Sequence, residues 1–185
     1  MFIQTEQTPN PATLKFIPGR EVGGETTADY VSADAAAESP LARRLFDVDG
    51  VTGVFLGADF VTVAKRDDKE WQVVKPEVLG AIMDHFTSGQ PVFTGGGPAS
   101  TQADEGEDDE IVAQIRELID TRVRPAVAMD GGDIIFREFR DGVVYLRMQG
   151  ACSGCPSSTA TLKHGIENML RYYVPEVVSV EPVEA

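Results

Sequence analysis

The sequence has few cysteines, few basic residues and no long apolar run. Only two of its 185 residues are cysteines, whereas a small secreted scaffold stapled by disulfides would use more. No apolar stretch reaches the roughly 18 residues of a membrane-spanning helix. Acidic residues outnumber basic ones 30 to 16, for a net charge of −14, which argues against binding to nucleic acids or to anionic membranes. We therefore predict no nucleic-acid partner and no membrane partner.

The first residues lack both the basic and apolar regions of a signal peptide and the Arg-rich composition of a transit segment. We predict a cytoplasmic location with reduced thiols. The mitochondrial matrix is the alternative if the chain is a processed form.

Composition changes sharply at residues 94–109, which contain four glycines, five carboxylates and no large apolar residue. Such a segment cannot bury enough apolar surface to offset its ordering entropy. We predict a flexible acidic linker here, between one domain over residues 1–93 and another over residues 110–185.

The pattern of each domain predicts a mixture of helices and strands. In the first, helices are predicted from Ser39-Pro40 and from Lys75-Pro76, and strands at Phe2–Thr5, Thr13–Ile17, Val51–Leu56 and Phe60–Ala64. In the second, we predict a helix that ends before Pro125, followed by strands Asp133–Phe139 and Val143–Met148 joined at Asp141-Gly142. A second helix is predicted from Pro156 to a stop at Pro175, and a last strand at Val177–Val180. The predicted fold class is α+β, with two small α+β domains joined by the acidic Gly-rich linker and the second ordered α-β-β-α-β.

The clearest chemical feature is the CxxC motif formed by Cys152 and Cys155, between a predicted strand and a predicted helix. This spacing allows both sulfurs to lie on one side of a tight loop, and the helix N-terminus would stabilise thiolates. The loop is short and made of small residues, which predicts little shielding of the sulfurs.

Four interpretations of the motif remain open. The cysteines could be buried and structural, although the flanking Gly, Ser and Pro disfavour this. They could form a thioredoxin-like redox pair, but no aromatic precedes the first cysteine and no βαβ unit surrounds the site. They could hold zinc between two chains through four thiolates. They could also bind an iron–sulfur cluster, which normally takes four cysteine ligands, so that two chains with two cysteines each would share one bridging cluster.

Several segments resemble the Nfu-type iron–sulfur cluster scaffold and carrier family. Residues 129–133, 148–163 and 165–167 resemble the NifU C-terminal domain, whereas residues 1–19 and 58–63 resemble the Nfu N-terminal domain. The resemblance implies that Cys152 and Cys155 ligate a [4Fe-4S] cluster, possibly [2Fe-2S], between the subunits of a cluster-loaded homodimer. It also implies delivery to apo iron–sulfur client proteins and contact with upstream cluster-assembly proteins.

Other polar residues give no indication of catalysis, and we predict that the protein is not an enzyme. His85 and His164 are interpreted as surface helix residues, and Asp130 and Asp133 as turn residues. The first domain contains no cysteine, so we expect it to recognise clients or donors, or only to stabilise the chain.

Overall fold

The computed structural model describes residues 2–24, 26–95, 110–152 and 156–183, with the backbone alone for residues 156–159. The chain forms two compact units, Met1–Ser100 and Thr101–Ala185. The predicted linker lies mostly outside the described residues, so its bounds remain a prediction. None of the helices in the described parts of the chain combines the length and apolar character needed to cross a membrane.

The first unit contains a five-stranded antiparallel sheet and two helices. Its strands are β1 (Gln4–Gln7), β2 (Thr13–Ile17), β3 (Ala28–Tyr30), β4 (Val51–Leu56) and β5 (Val61–Lys65), in the order β1-β2-β5-β4-β3. Its helices are α1 (Pro40–Phe46) and α2 (Trp71–Ser88). Strand β1 begins two residues later than predicted, β5 one residue later, and β3 was not predicted.

Apolar side chains from neighbouring strands of this sheet lie in rows on one face and pack against α1 and α2. Leu14, Val63 and Val54 form one such row, because β2 and β4 both pair with β5 at Val63. At the start of α1, the buried hydroxyl of Ser39 accepts a hydrogen bond from the Ala42 N–H at 3.1 Å. The Ser-Pro signal thus located this helix correctly.

The second helix of this unit differs from its prediction. The helix α2 begins at Trp71, so Pro76 is its sixth residue and not its start. A proline there cannot donate to the carbonyl of residue 72. The first turn is anchored instead by tertiary contacts, since Val74 is fully buried and the Trp71 indole donates to the Pro11 carbonyl at 3.1 Å.

The buried face of α2 also includes a histidine. Val74, Val78, Ile82 and His85 are all fully buried, whereas Met83 on the same helix is 40% exposed. The interpretation of His85 as a surface residue was therefore wrong. Its position three residues after Ile82 places it on the core face of the helix.

The second unit has a three-stranded sheet and a helical face. Its described residues begin with α3 (Glu110–Leu118), a π-helical turn (Ile119–Val123) and α4 (Arg124–Met129). The strands β6 (Gly132–Arg140) and β7 (Val143–Gly150) follow, then α5 (Pro156–Tyr173) and β8 (Ser179–Val183). Strands β6 and β7 are antiparallel, and β8 pairs with β7 in parallel.

The chain remains helical through Pro125, where the sequence predicts that the helix ends. In the π-helical turn, the Arg124 N–H donates to the Ile119 carbonyl, five residues back. Pro125 is then the second residue of α4, where proline is tolerated. This register also buries Ile119, Val123 and Val127 on the same core.

The hairpin and the helix start in this unit are as predicted, but the last strand is shifted. Asp141 and Gly142 both adopt positive φ, at 52° and 78°, as a two-residue hairpin turn requires. Helix α5 begins at Pro156 and ends before Pro175. Val177 is buried in the turn before β8, which begins two residues later than predicted.

Candidate functional site

Cys152 lies just after the end of β7, in the connection to α5. Gly150 is the last residue of β7 and has a φ of 64°, in the left-handed region that favours glycine. The Ala151 N–H donates to the Gly131 carbonyl at 3.2 Å, so the connection packs against the turn before β6. Cys155 lies outside the described residues, and its role as a ligand remains a prediction.

The thiol of Cys152 is buried against the first residue of β6. Cys152 is only 7% exposed and belongs to the hydrophobic core of the unit. A Cβ atom at Gly132 would lie 2.5 Å from the Cys152 Sγ and 2.8 Å from the Gln149 carbonyl oxygen. The expectation of little shielding is therefore wrong for Cys152, because the start of β6 covers its sulfur.

Burial also determines the protonation of this thiol. Desolvation by burial, together with the negative charges of Asp130 and Asp133, raises the pKa of Cys152 to about 12. The Cys152 thiol is therefore protonated at neutral pH in the metal-free protein. The sequence predicts the opposite effect, a thiolate stabilised by the helix N-terminus, because it does not show the burial or the carboxylates.

An ion pair with a buried carboxylate lies beside the cysteine and was not predicted. Both oxygens of the Asp133 carboxylate accept hydrogen bonds from the Arg124 guanidinium, from Nε and Nη2, each at 2.9 Å. Oδ1 also accepts from the Ile134 N–H at 2.8 Å. Asp133 is thus a buried acceptor for a charged partner and lies in strand β6 rather than in the turn that the sequence predicted, and no local pattern in the sequence indicates its pairing with Arg124.

The other candidate residues do not join this site. His164 is exposed on α5, as predicted, and His85 belongs to the first unit. No group of three or more His, Cys, Asp or Glu side chains in the described parts of the chain is arranged to hold a metal ion. A metal site confined to these residues of one chain is not found.

The fold and the cysteine position define a class of protein with two α+β units, the second carrying a CxxC motif between a strand and a helix. Family profiles agree with this division. Residues 3–89 match "Scaffold protein Nfu/NifU N terminal", and residues 115–181 match "NifU-like domain".

Relatives match over almost the whole chain. The human "NFU1 iron-sulfur cluster scaffold homolog, mitochondrial" is 53% identical over 184 residues, which cover 99% of this chain and 72% of that protein. The Drosophila sechellia protein of the same name is 54% identical, and the match covers 65% of its length. The chain belongs to the Nfu family of iron–sulfur cluster scaffold proteins.

A NifU-like protein from Saccharomyces cerevisiae, solved by solution NMR, is 25% identical to this chain. The match covers 51% of this chain and 86% of that one, with a TM-score of 0.42, which is too low to add to the description of the fold.

Proposed function

We propose that this chain binds an iron–sulfur cluster as cargo and delivers it to apo iron–sulfur proteins, without catalysing a reaction of its own. The observation that carries the proposal is a cysteine at the strand-to-helix connection of the NifU-like unit, followed three residues later by the only other cysteine of the chain. Thiolates are the usual protein ligands of such clusters.

The ligand count supports a cluster shared by two subunits. Cys152 and Cys155 are the only cysteines, and four thiolates are the usual complement of a [4Fe-4S] or [2Fe-2S] cluster. Two chains supply four, which gives a homodimer when loaded. We favour [4Fe-4S], with [2Fe-2S] as the alternative.

The buried thiol adds a step to loading and release. Cys152 is covered by the start of β6 and is protonated at neutral pH, so iron binding has to expose its sulfur and release its proton. Because this rearrangement costs free energy, the bound cluster is held less tightly than in a preformed site. Transfer to a client that offers all its own ligands is then favourable.

The same thiol counts against the alternative function, a thioredoxin-like thiol–disulfide oxidoreductase. An attacking redox cysteine works as a thiolate and generally has a lowered pKa. The pKa of Cys152 is instead raised to about 12. We therefore keep the cluster carrier as the preferred function.

The relatives' names favour the mitochondrial alternative for the compartment. The human and fly proteins are both named mitochondrial, and we propose the matrix over the cytoplasm for this chain. Its partners are apo client proteins and upstream assembly proteins, with client recognition assigned to the cysteine-free first unit.

Anaerobic reconstitution of the full chain tests binding and bridging together. We expect iron and sulfide to be bound, and sedimentation to show mainly monomers without the cluster and dimers with it. Cys152→Ser should abolish the visible absorption of the cluster, whereas His164→Gln, an exposed change on α5, should not. A loaded monomer with four irons would contradict bridging, and full absorption in the serine variant would remove Cys152 from the ligand set.

Delivery needs a separate test. Loaded protein is mixed with an apo [4Fe-4S] enzyme, with and without a chelator that traps free iron. Activation that survives the chelator supports direct transfer. If the chelator blocks all activation, the chain only leaks iron and is not a carrier.

A further inference from the structure

The ion pair between Arg124 and Asp133 joins two elements that meet at the cysteine. Arg124 is the first residue of α4, and Asp133 is the second residue of β6. The fork of two 2.9 Å hydrogen bonds spans the turn between these elements. The Asp133 side chain is 6% exposed and that of Arg124 is 37% exposed, so the pair is shielded from solvent on the carboxylate side.

The residue next to Asp133 contacts the cysteine sulfur. Gly132 precedes Asp133 in β6 and lies so close to Cys152 that a Cβ atom would be 2.5 Å from the Sγ. The backbone at Gly131, just before it, accepts the Ala151 N–H. A shift of the start of β6 is therefore transmitted directly to the sulfur and to the loop that carries it.

We propose that Arg124 and Asp133 are a positioning pair for the cluster ligand Cys152. The fork holds the start of β6 over the sulfur, and the guanidinium balances the carboxylate charge beside the site. The charge-balancing role rests on the proposed function, since only a bound cluster places negative thiolates beside this ion pair.

Substitutions of Arg124 and of Asp133 should not have equal effects on cluster retention, and this difference separates a positioning role from simple structural support. Asp133 directly follows Gly132, which contacts the Cys152 sulfur, so its negative charge lies beside the site and acts unfavourably on the negative thiolates of a bound cluster. Removing Arg124 leaves that charge without its guanidinium, whereas removing the charge of Asp133 leaves a cation near a negative cluster. Loss of Arg124 should therefore weaken cluster retention more than loss of the Asp133 charge does.

The test uses full-length protein and two measurements. The first is the alkylation rate of Cys152 in metal-free protein, in a Cys155→Ser background, which needs no cluster. The second is the rate at which loaded protein with both cysteines loses cluster absorption to a chelator. The variants are Arg124→Gln, Arg124→Lys, Asp133→Asn and the double Arg124→Gln/Asp133→Asn. Arg171→Gln is the matched control, because Arg171 makes only a 3.9 Å surface contact with Glu167.

We expect Arg124→Gln to raise the alkylation rate about tenfold and the cluster-loss rate about 10- to 100-fold, the usual effect of removing a group that supports a metal ligand. Asp133→Asn should raise cluster loss less, and the double variant should lose its cluster more slowly than Arg124→Gln alone. Arg124→Lys, which keeps the charge and loses the fork, should raise alkylation and largely retain the cluster. The control should match the wild type in both rates.

Equal rates for Arg124→Gln and the wild type would overturn the proposal, and so would faster cluster loss in Asp133→Asn than in Arg124→Gln. If circular dichroism shows that Arg124→Gln does not fold, Arg124→Lys decides the matter: cluster loss as fast as in Asp133→Asn or faster would refute the charge argument. Failure of the wild type to load any cluster would reject the proposed function instead, and the alkylation rates would still test the positioning of the sulfur.

Discussion

Replacing Gly132 with alanine should destabilise the second unit specifically. The added methyl would lie 2.5 Å from the Cys152 Sγ, 2.8 Å from the Gln149 carbonyl oxygen and 3.1 Å from the Cys152 backbone nitrogen. Two of these three neighbours are backbone atoms within the sheet and its connection, so they cannot rotate away. Overpacking of this kind costs about 1–3 kcal/mol, and the thiol has to leave its buried position.

A second glycine in the same unit provides the matched control. Nothing lies within 4 Å of a Cβ atom at Gly165, which is exposed on α5. Since alanine is favoured over glycine inside a helix, Gly165→Ala should stabilise the unit by about 0.5–1 kcal/mol. The two substitutions add the same methyl group, and the structure predicts opposite signs.

Urea titration can follow the two units separately. Trp71, the only tryptophan, lies in the first unit, and the only cysteines lie in the second. Trp71 fluorescence reports the first unit alone, whereas far-UV circular dichroism reports both, so the part of the dichroism transition that fluorescence does not show belongs to the second unit. The midpoint of the second unit should fall by roughly 1 M for Gly132→Ala, at an m-value of about 1–3 kcal/mol per molar, while the fluorescence midpoint stays unchanged. The same midpoint for the second unit in both alanine variants would refute the packing argument.

Two further predictions concern the first unit, with Trp71 fluorescence in urea as the measurement. His85→Leu should raise stability by about 1–3 kcal/mol, because both ring nitrogens are buried without a hydrogen-bond partner among the described residues. Burial and the positive charge of Arg44 lower the pKa of His85 in the folded protein. Below the ordinary histidine pKa of about 6.5 the unfolded chain therefore binds more protons than the folded one, and wild-type stability should fall as the pH drops through that value. The leucine variant should lose this dependence of stability on pH, and an unchanged dependence would contradict a buried, neutral His85. Ser39→Ala should cost about 1–2 kcal/mol, since its hydroxyl accepts from Ala42 N–H and donates to the Val92 carbonyl at 2.7 Å. The exposed Ser32→Ala should cost less, and equal losses would mean that the cap does not matter.

Local signals in the sequence determined much of the secondary structure. The Ser39-Pro40 pair located a helix start, and Asp141-Gly142 located a hairpin, because a cap and a two-residue turn depend on neighbouring residues alone. Cys152 likewise lies between a strand and a helix, as predicted. The resemblance to the Nfu family was carried by such contiguous segments.

The tertiary structure decided the features that depend on residues distant in the chain. Pro76 and Pro125 both predict helix boundaries, yet each lies within a helical segment, because burial of Val74 in one and of Ile119 and Val123 in the other outweighs the lost hydrogen bond. The spacing from Ile82 places His85 on the core face of α2, but only the packing around the helix decides that its imidazole is fully buried.

The same holds for the site. That Cys152 is a cysteine between a strand and a helix follows from the sequence, whereas the burial of its sulfur requires Gly132 from another strand. The pairing of Arg124 with Asp133 depends on the π-helical turn that sets the direction of α4. The sequence by itself thus determined which thiols we propose as cluster ligands. The tertiary structure decided how accessible the Cys152 sulfur is and how charged its surroundings are, because desolvation and Coulomb energies depend on distances in space and not along the chain.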